Sequence, residues 1–410
     1  MPSERIVIVG AGLAAARAVE AARSTGFDGD ILLVGEEPRL PYERPPLSKE
    51  WLTEDTLPDE PAVFPASSWD DWRVDRALGV RAQALDPQAR ILTLTGGRRL
   101  PYDRLLIATG ARPRQLSVPG VELDGVLTLR TLPDATDLRA RLRASQRIVV
   151  VGAGLIGLEV VAAARSLGRQ VTVVEADHTP LRRLVGARMG ATVAAMHADE
   201  GVELRFDETV TALRGHRRVE AVVLACGVSV AADLVVVGIG VEPDVGWLRG
   251  TGLDGPTGVP VDALTRTPVP GVHAAGDVAV TWQPESGILG RRFETYANAA
   301  AQGAAAGRAL AGAPTPYVPS PGGSSNQYGH RLQFVGEVVG DEAVVVRGSV
   351  EERRFVAFYV REGRVTAAFT LDRARDVPAA RALVAAGAAV PDEVLADPSA
   401  SLAPWTVEHR

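Results

Sequence analysis

The sequence predicts an α/β protein made of two three-layer β–α–β units, with a small α+β region at its C-terminal end. Three observations carry that reading. Residues 6–9, a short β-branched run, enter Gly10-Ala11-Gly12-Leu13-Ala14-Ala15 and then an alanine-rich helical stretch. The same arrangement returns at residues 147–151, followed by Gly152-Ala153-Gly154-Leu155-Ile156-Gly157. From about Val318 onward the pattern changes to several short apolar runs and one helical segment.

In the first unit the helix runs to about Arg23, and residues 31–34 form a second buried strand ending at Gly35-Glu36. Gly10 permits a tight turn, Gly12 lets backbone approach a pyrophosphate, and Ala15 allows close helix–strand packing. The helix N-terminus faces the phosphates. Glu36 closes the second strand, where an acid accepts ribose hydroxyls. This is a Rossmann-like dinucleotide site. Residues 105–110, LLIATG, make a further strand and glycine turn, followed by Ala111-Arg112-Pro113. Residues 269–277, VPGVHAAGD, end in Gly276-Asp277, an acid placed to bond polyol hydroxyls.

The second unit repeats the logic. Its helix runs through about Leu167, and residues 171–174 end at Glu175. A carboxylate there bonds a free 2′-hydroxyl and repels a 2′-phosphate, which favours NADH over NADPH. Arg182 and Arg183, downstream, act against that preference. Residues 233–241, DLVVVGIGV, complete the unit. Two dinucleotide sites imply two nucleotides, one of them a flavin. The expected partition is 1–111 with 246–318 for the flavin unit, 112–245 for the NAD unit, and 319–410 for the α+β domain.

In that last domain, residues 319–325, PSPGGSS, read as a linker-like loop. Apolar runs at 332–335, 343–346, 355–360 and 365–371 read as strands, and residues 377–386 as a helix. The tail after Asp397 is expected to be loosely held.

Composition narrows the function. The chain has 410 residues, a net charge of −6 and a pI near 5.7, which argues against a broad nucleic-acid or anionic-membrane footprint. No apolar run reaches the ~18 residues of a membrane span, and the alanine-rich stretch 299–311 is interrupted by Gly303 and Gly307. No signal peptide is read at the start, and the single cysteine, Cys226, permits no intrachain disulfide. The expected location is cytoplasmic. Cys226, in VVLACGVSV, reads as a small buried hydrophobe. The six histidines show no metal-ligand spacing, and His197, His273 and His330 receive no role.

One stretch stands out, residues 41–49, PYERPPLSK. Lys49 is the only lysine among 44 Lys plus Arg. A compact ammonium kept where every other cation is a guanidinium suggests a narrow site for a point charge.

The order GxGxxA, PYERPPLSK, LLIATGARPR, GxGxxGLE, LVVVGIGVEP, AAGD and ETYANA resembles the pyridine-nucleotide FAD oxidoreductases, and within them the ferredoxin reductases that serve oxygenases. The match spans about residues 4–318 and continues more weakly to about 396. The resemblance implies FAD held by Gly10, Gly12, Ala14, Ala15, Glu36, Arg44, Lys49, Ala82, Ala108, Gly110, Arg130, Asp277 and Tyr296. In that reading Ala82 sits at the adenine, Asp277 at the ribityl chain, and Tyr296 near the isoalloxazine. It implies NAD held by Gly152, Gly154, Leu155, Ile156, Gly157, Glu159, Glu175 and Gly240. Lys49 and Glu159 are the implied catalytic pair beside the flavin ring. The expected activity is hydride transfer from NADH to FAD, then single-electron transfer to a [2Fe–2S] ferredoxin that feeds a mono- or dioxygenase. A diaphorase-type reductase of rubredoxin or a quinone, and a redox-gated binding flavoprotein, are the alternatives. The absence of cysteine in residues 40–50 points to an external electron acceptor rather than a thiol. The chain departs from the family at residues 322–328, GGSSNQY, where relatives carry a tryptophan-rich segment before Asp-Gln-Tyr. The ferredoxin's identity and the oligomeric state, monomer or dimer, stay open.

Overall fold

The β-branched run Arg5–Val9 lies between two other buried strands, Asp30–Gly35 and Arg104–Ile107, in parallel register. In the computed structural model, which describes residues 4–283, 288–340 and 342–406, Val272–Ala274 and Val74–Leu78 extend this sheet to five parallel strands. A parallel sheet buried on both faces needs apolar side chains throughout, and Ile6, Val7, Ile8 and Val9 are all at most 2% exposed. A three-stranded antiparallel sheet, Ala82–Asp86, Ile91–Leu94 and Arg99–Pro101, makes the third layer.

The helices of this unit explain its alanine content. Leu13–Ser24 crosses Tyr296–Leu310, and a Cβ on Gly303 or Gly307 would sit 2.3 or 2.1 Å from the carbonyl oxygens of Ala14 and Ala18. Gly303 and Gly307 therefore do not interrupt the helix. They lie one turn apart on its contact face and let two backbones approach.

A second five-stranded parallel sheet repeats four strands of that order, Leu234–Val237, Arg147–Val151, Gln170–Val174 and Glu203–Arg205, but its edge strand beside Leu234–Val237 is Val126–Leu127, which precedes the others in the chain where Val272–Ala274 follows them. It too carries an antiparallel three-stranded layer, Val210–Arg214, Ala221–Leu224 and Ser229–Ala231. The sequence repeat is thus a repeat of a four-strand topology, with each glycine turn following the central strand, where open α/β sheets bind ligands.

The chain divides into two compact units. The first comprises Met1–Glu43, Asp59–Arg112 and Val241–Ser320; the second comprises Arg44–Pro58, Pro113–Gly240 and Pro321–Arg410. The segment Arg44–Pro58 is fixed in the second unit by its backbone. Arg139 donates to the carbonyls of Trp51, Glu54 and Asp55, and Arg143 to those of Leu52, Thr53 and Glu54. Leu52, fully buried, packs in one cluster with Leu138 and Leu142.

The C-terminal region is a five-stranded antiparallel sheet in the order Gly322–Gln327, His330–Gly336, Arg364–Leu371, Arg354–Arg361, Ala343–Ser349. Helix Val377–Ala386 covers one face through Val377, Ala380 and Leu383. On the other face Phe334, Phe355 and Phe369 share a core with Leu158 and Val161.

Two sequence expectations fail here. Residues 322–325, read as linker, belong to an edge strand. Its partner is set by a two-residue turn, Tyr328-Gly329, both with positive φ, between the paired Gln327 and His330. The tail after Asp397 is not loose over its described part. The buried Arg347 guanidinium donates to the carbonyls of Val394, Leu395, Asp397, Pro398 and Ala400, and Leu402 is 5% exposed. Replacing Arg347 by Ala should leave the buried Leu395 carbonyl without this donor, at roughly 1–3 kcal/mol, and free four carbonyls nearer the surface at less cost each. Limited proteolysis of R347A should cut first near residue 397, together with a lowered Tm. Among the described residues no helix is long and apolar enough to cross a membrane.

Candidate active site

Lys49 follows a single 3-10 turn, Pro45–Ser48, whose two prolines pre-set its φ angles. The turn leaves Ser48 buried and directs the Lys49 ammonium back to the Pro45 carbonyl at 3.0 Å. The same ammonium meets Glu159 Oε2 at 2.8 Å, with the two side chains 17% and 3% exposed. Glu159 stands on helix Leu155–Ser166, which starts at the second glycine turn. Ser48 Oγ also donates to Glu159 Oε2, and Ser325 Oγ donates to Oε1 at 2.7 Å. A carboxylate this buried is costly unless paired and hydrogen-bonded, and here it is both.

The glycine turns fit nucleotide phosphates. Helices Leu13–Ser24 and Leu155–Ser166 begin at Gly12 and Gly154 with no side-chain cap and no acid in the first turn. Their first amides keep the positive end of the helix dipole open to an anion. Gly10 (φ 112°) and Gly152 (φ 101°) could not carry a side chain, since a Cβ would lie 2.1 and 2.4 Å from the Ala108 and Gly238 carbonyl oxygens. At Gly12, by contrast, a Cβ would meet nothing within 4 Å, which leaves space over the turn.

The acids that close the second strands are both engaged. Glu36 accepts from Arg112 Nη2 at 2.6 Å, and the same guanidinium nitrogen lies 3.0 Å from Asp244; Arg81 adds a longer contact to each acid. Glu175 reaches back to its own glycine turn, accepting from the Ala153 amide at 2.5 Å and the Asp177 amide at 2.9 Å. Ile156, on the first turn of the second helix, is 47% exposed, as an apolar wall for a planar ring would be.

Of the residues assigned to FAD, Gly10, Gly12, Ala14, Ala15, Glu36, Ala82, Ala108, Gly110, Asp277 and Tyr296 lie in the first unit. Arg44, Lys49 and Arg130 lie in the second, as do Gly152, Gly154, Leu155, Ile156, Gly157, Glu159, Glu175 and Gly240. Ala82 is buried in the core of the first unit, and Tyr296 is 40% exposed with its hydroxyl donating to Glu43 at 2.8 Å.

Sequence reasoning missed Ser48, Ser325, Gln327, His197, Arg81 and Arg112. Ser48 was adjacent to Lys49 and signalled by it. Ser325 and Gln327 alternate along the edge strand, a period-two signal hidden by its glycines and serines. His197, given no role, is fully buried and bonded to Gln327 and Tyr328 at 2.9 Å each. Cys226 was expected in a core; it is exposed, because ACG forms the turn between Ala221–Leu224 and Ser229–Ala231.

Comparison with known proteins agrees with this architecture. The chain is 38% identical to rhodocoxin reductase of Rhodococcus erythropolis, over 99% of this chain and 95% of that protein. It is 39% identical to the ferredoxin–NAD(+) reductase component of the anthranilate 1,2-dioxygenase system of Burkholderia cepacia, covering 98% and 99% of the two. The crystal structure of the ferredoxin reductase for the CYP199A2 system from Rhodopseudomonas palustris superposes with a TM-score of 0.94 at 34% identity, covering 98% of this chain and 100% of that one. Residues 325–406 match a reductase C-terminal domain. Residues 4–303 match the pyridine nucleotide-disulphide oxidoreductase model, and the chain belongs to that family.

Proposed function

We propose that this protein is an FAD-dependent ferredoxin–NAD(+) reductase, taking electrons from NADH and passing them singly to a [2Fe–2S] ferredoxin of a mono- or dioxygenase system. The carrying observation is the cysteine count set against the family. Disulphide chemistry within one chain needs two thiols; this chain has one, and it lies in an exposed hairpin turn. Electrons must therefore leave for an external acceptor. The relatives named above, reductases of ferredoxins, support that acceptor.

FAD, once bound, supplies two-electron acceptance from NADH and one-electron release. The chain's own contribution is binding and orientation. The uncapped turn at Gly10, Gly12, Ala14 and Ala15 would hold the FAD pyrophosphate, Glu36 the adenosine ribose and Asp277 the ribityl hydroxyls. The turn at Gly152, Gly154, Leu155, Ile156 and Gly157 would hold NADH, with Glu175 on its ribose. Lys49 would offer fixed positive charge where negative charge develops, and Glu159 would balance it in the resting state and orient the nicotinamide. In this reading the flavin domain is 1–111 with 246–318, the NAD domain 112–245, and the α+β domain 319–410. A single cysteine with no disulfide suits a cytoplasmic enzyme.

The test is NADH-driven cytochrome c reduction by the yellow FAD-loaded protein, with and without a [2Fe–2S] ferredoxin. Turnover should depend on the ferredoxin. Fast NADH oxidation with a dye, unaffected by any ferredoxin, would replace this reading with a diaphorase.

A further inference from the structure

Glu159 has a second attachment, on the side away from Lys49. An ionised carboxylate only accepts hydrogen bonds, and this fixes the direction of every bond behind it. Ser325 Oγ spends its single proton on Glu159 Oε1, so its oxygen accepts from Gln327 Nε2, at 3.0 Å. Gln327 then presents Oε1 to His197 Nε2 at 2.9 Å. An amide oxygen accepts only, so Nε2 carries the imidazole proton and Nδ1 is left as acceptor. Tyr328 OH, 2.9 Å away, is its donor. Burial pushes the His197 pKa down to about 4, and the ring is neutral near pH 7. Ser325, Gln327 and His197 are each at most 2% exposed, so water offers them few alternatives.

We infer that Tyr328, His197, Gln327 and Ser325 form a one-way hydrogen-bond chain that positions Glu159, with its direction set by the charge on Glu159. This rests on the proposed role of Glu159 toward NADH. Bonds that all point one way polarise each other and hold their end group more firmly than separate contacts. The chain orients; it does not conduct. A proton passing through Gln327 would have to convert the amide to its imidic acid form. These four are positioning residues acting through Glu159.

Direction gives the test. In Glu159→Gln the oxygen would face the two donors, Ser48 and Lys49, and the new amide would donate to Ser325. Ser325 would then donate to Gln327, Gln327 would turn its amide to His197 Nε2, and the imidazole proton would move to Nδ1. Long-range proton–nitrogen NMR of histidine-labelled holoprotein reads the tautomer, with the His197 signal assigned from His197→Asn. Nε2–H in the native protein and Nδ1–H in E159Q is the expected result; the same tautomer in both overturns the inference. In parallel, Gln327→Met and Ser325→Ala should slow flavin reduction at saturating NADH by about tenfold with KM little changed, and Ser325→Thr should restore it. A native rate in both Q327M and S325A, beside a slow E159Q, would overturn the positioning role. A native rate in E159Q would instead remove the role given to Glu159, and the tautomer comparison still decides the chain.

Discussion

Lys49→Met is expected to slow reduction of the bound flavin by NADH about 100-fold, the scale of removing one preorganised charge from a reacting centre. The lysine does two things that methionine cannot. Its ammonium neutralises a carboxylate that is 3% exposed, and it anchors to the Pro45 carbonyl, which fixes where the charge stands. Removing one partner of a buried ion pair leaves the other uncompensated, at a cost of about 3–5 kcal/mol. Part of that cost should appear as a lowered Tm. Lys49→Arg is the more selective variant. It keeps the charge but replaces a compact ammonium, held at 2.8 and 3.0 Å, with a longer planar fork. It should retain FAD and fold normally, yet reduce slowly. Stopped-flow bleaching of the yellow band, read anaerobically, checks both variants.

The second large effect concerns the nicotinamide cofactor. NADH should be preferred to NADPH by at least ~10-fold in kcat/KM, since one lost hydrogen bond plus repulsion is worth over about 1.4 kcal/mol. Glu175 would be the cause. Its carboxylate already lies on the Ala153 amide of the glycine turn, which fixes its position beside the turn. Glu175→Ser should cut kcat/KM for NADH and raise it for NADPH, bringing the ratio near unity. Arg182 and Arg183, on the helix Arg182–Asp199 that follows, would help a 2′-phosphate once the carboxylate is gone. Equal kcat/KM for both cofactors in the native enzyme would assign selectivity elsewhere.

What the sequence made legible was local or periodic. Both glycine turns follow β-branched runs and precede helices, and the strands at 332–335, 343–346, 355–360 and 365–371 are predominantly apolar runs, so each was readable in its own window. Lys49 stood out by composition, and its contact with Glu159, though far along the chain, joins two motif residues. What escaped was set by tertiary pairing. Gly322–Gln327 has weak strand propensity, and only its partner strand His330–Gly336 makes it a strand. Gln327 and His197 meet across 130 residues, and nothing around His197 in helix Arg182–Asp199 marks it as polar-bonded. Arg347, which no motif or spacing marks, closes the C-terminal tail over the sheet. Cys226 sat in an apolar string whose middle turned out to be a turn.

The central claim is that Lys49 and Glu159 act as one unit on hydride transfer from NADH to FAD. A double-mutant cycle tests it most directly: single-turnover flavin reduction in the native protein, K49M, E159Q and K49M/E159Q. The account predicts that the double variant is no slower than the slower single one, because each substitution already breaks the same pair. Rate losses that multiply across the cycle, or native rates in both single variants, would contradict it.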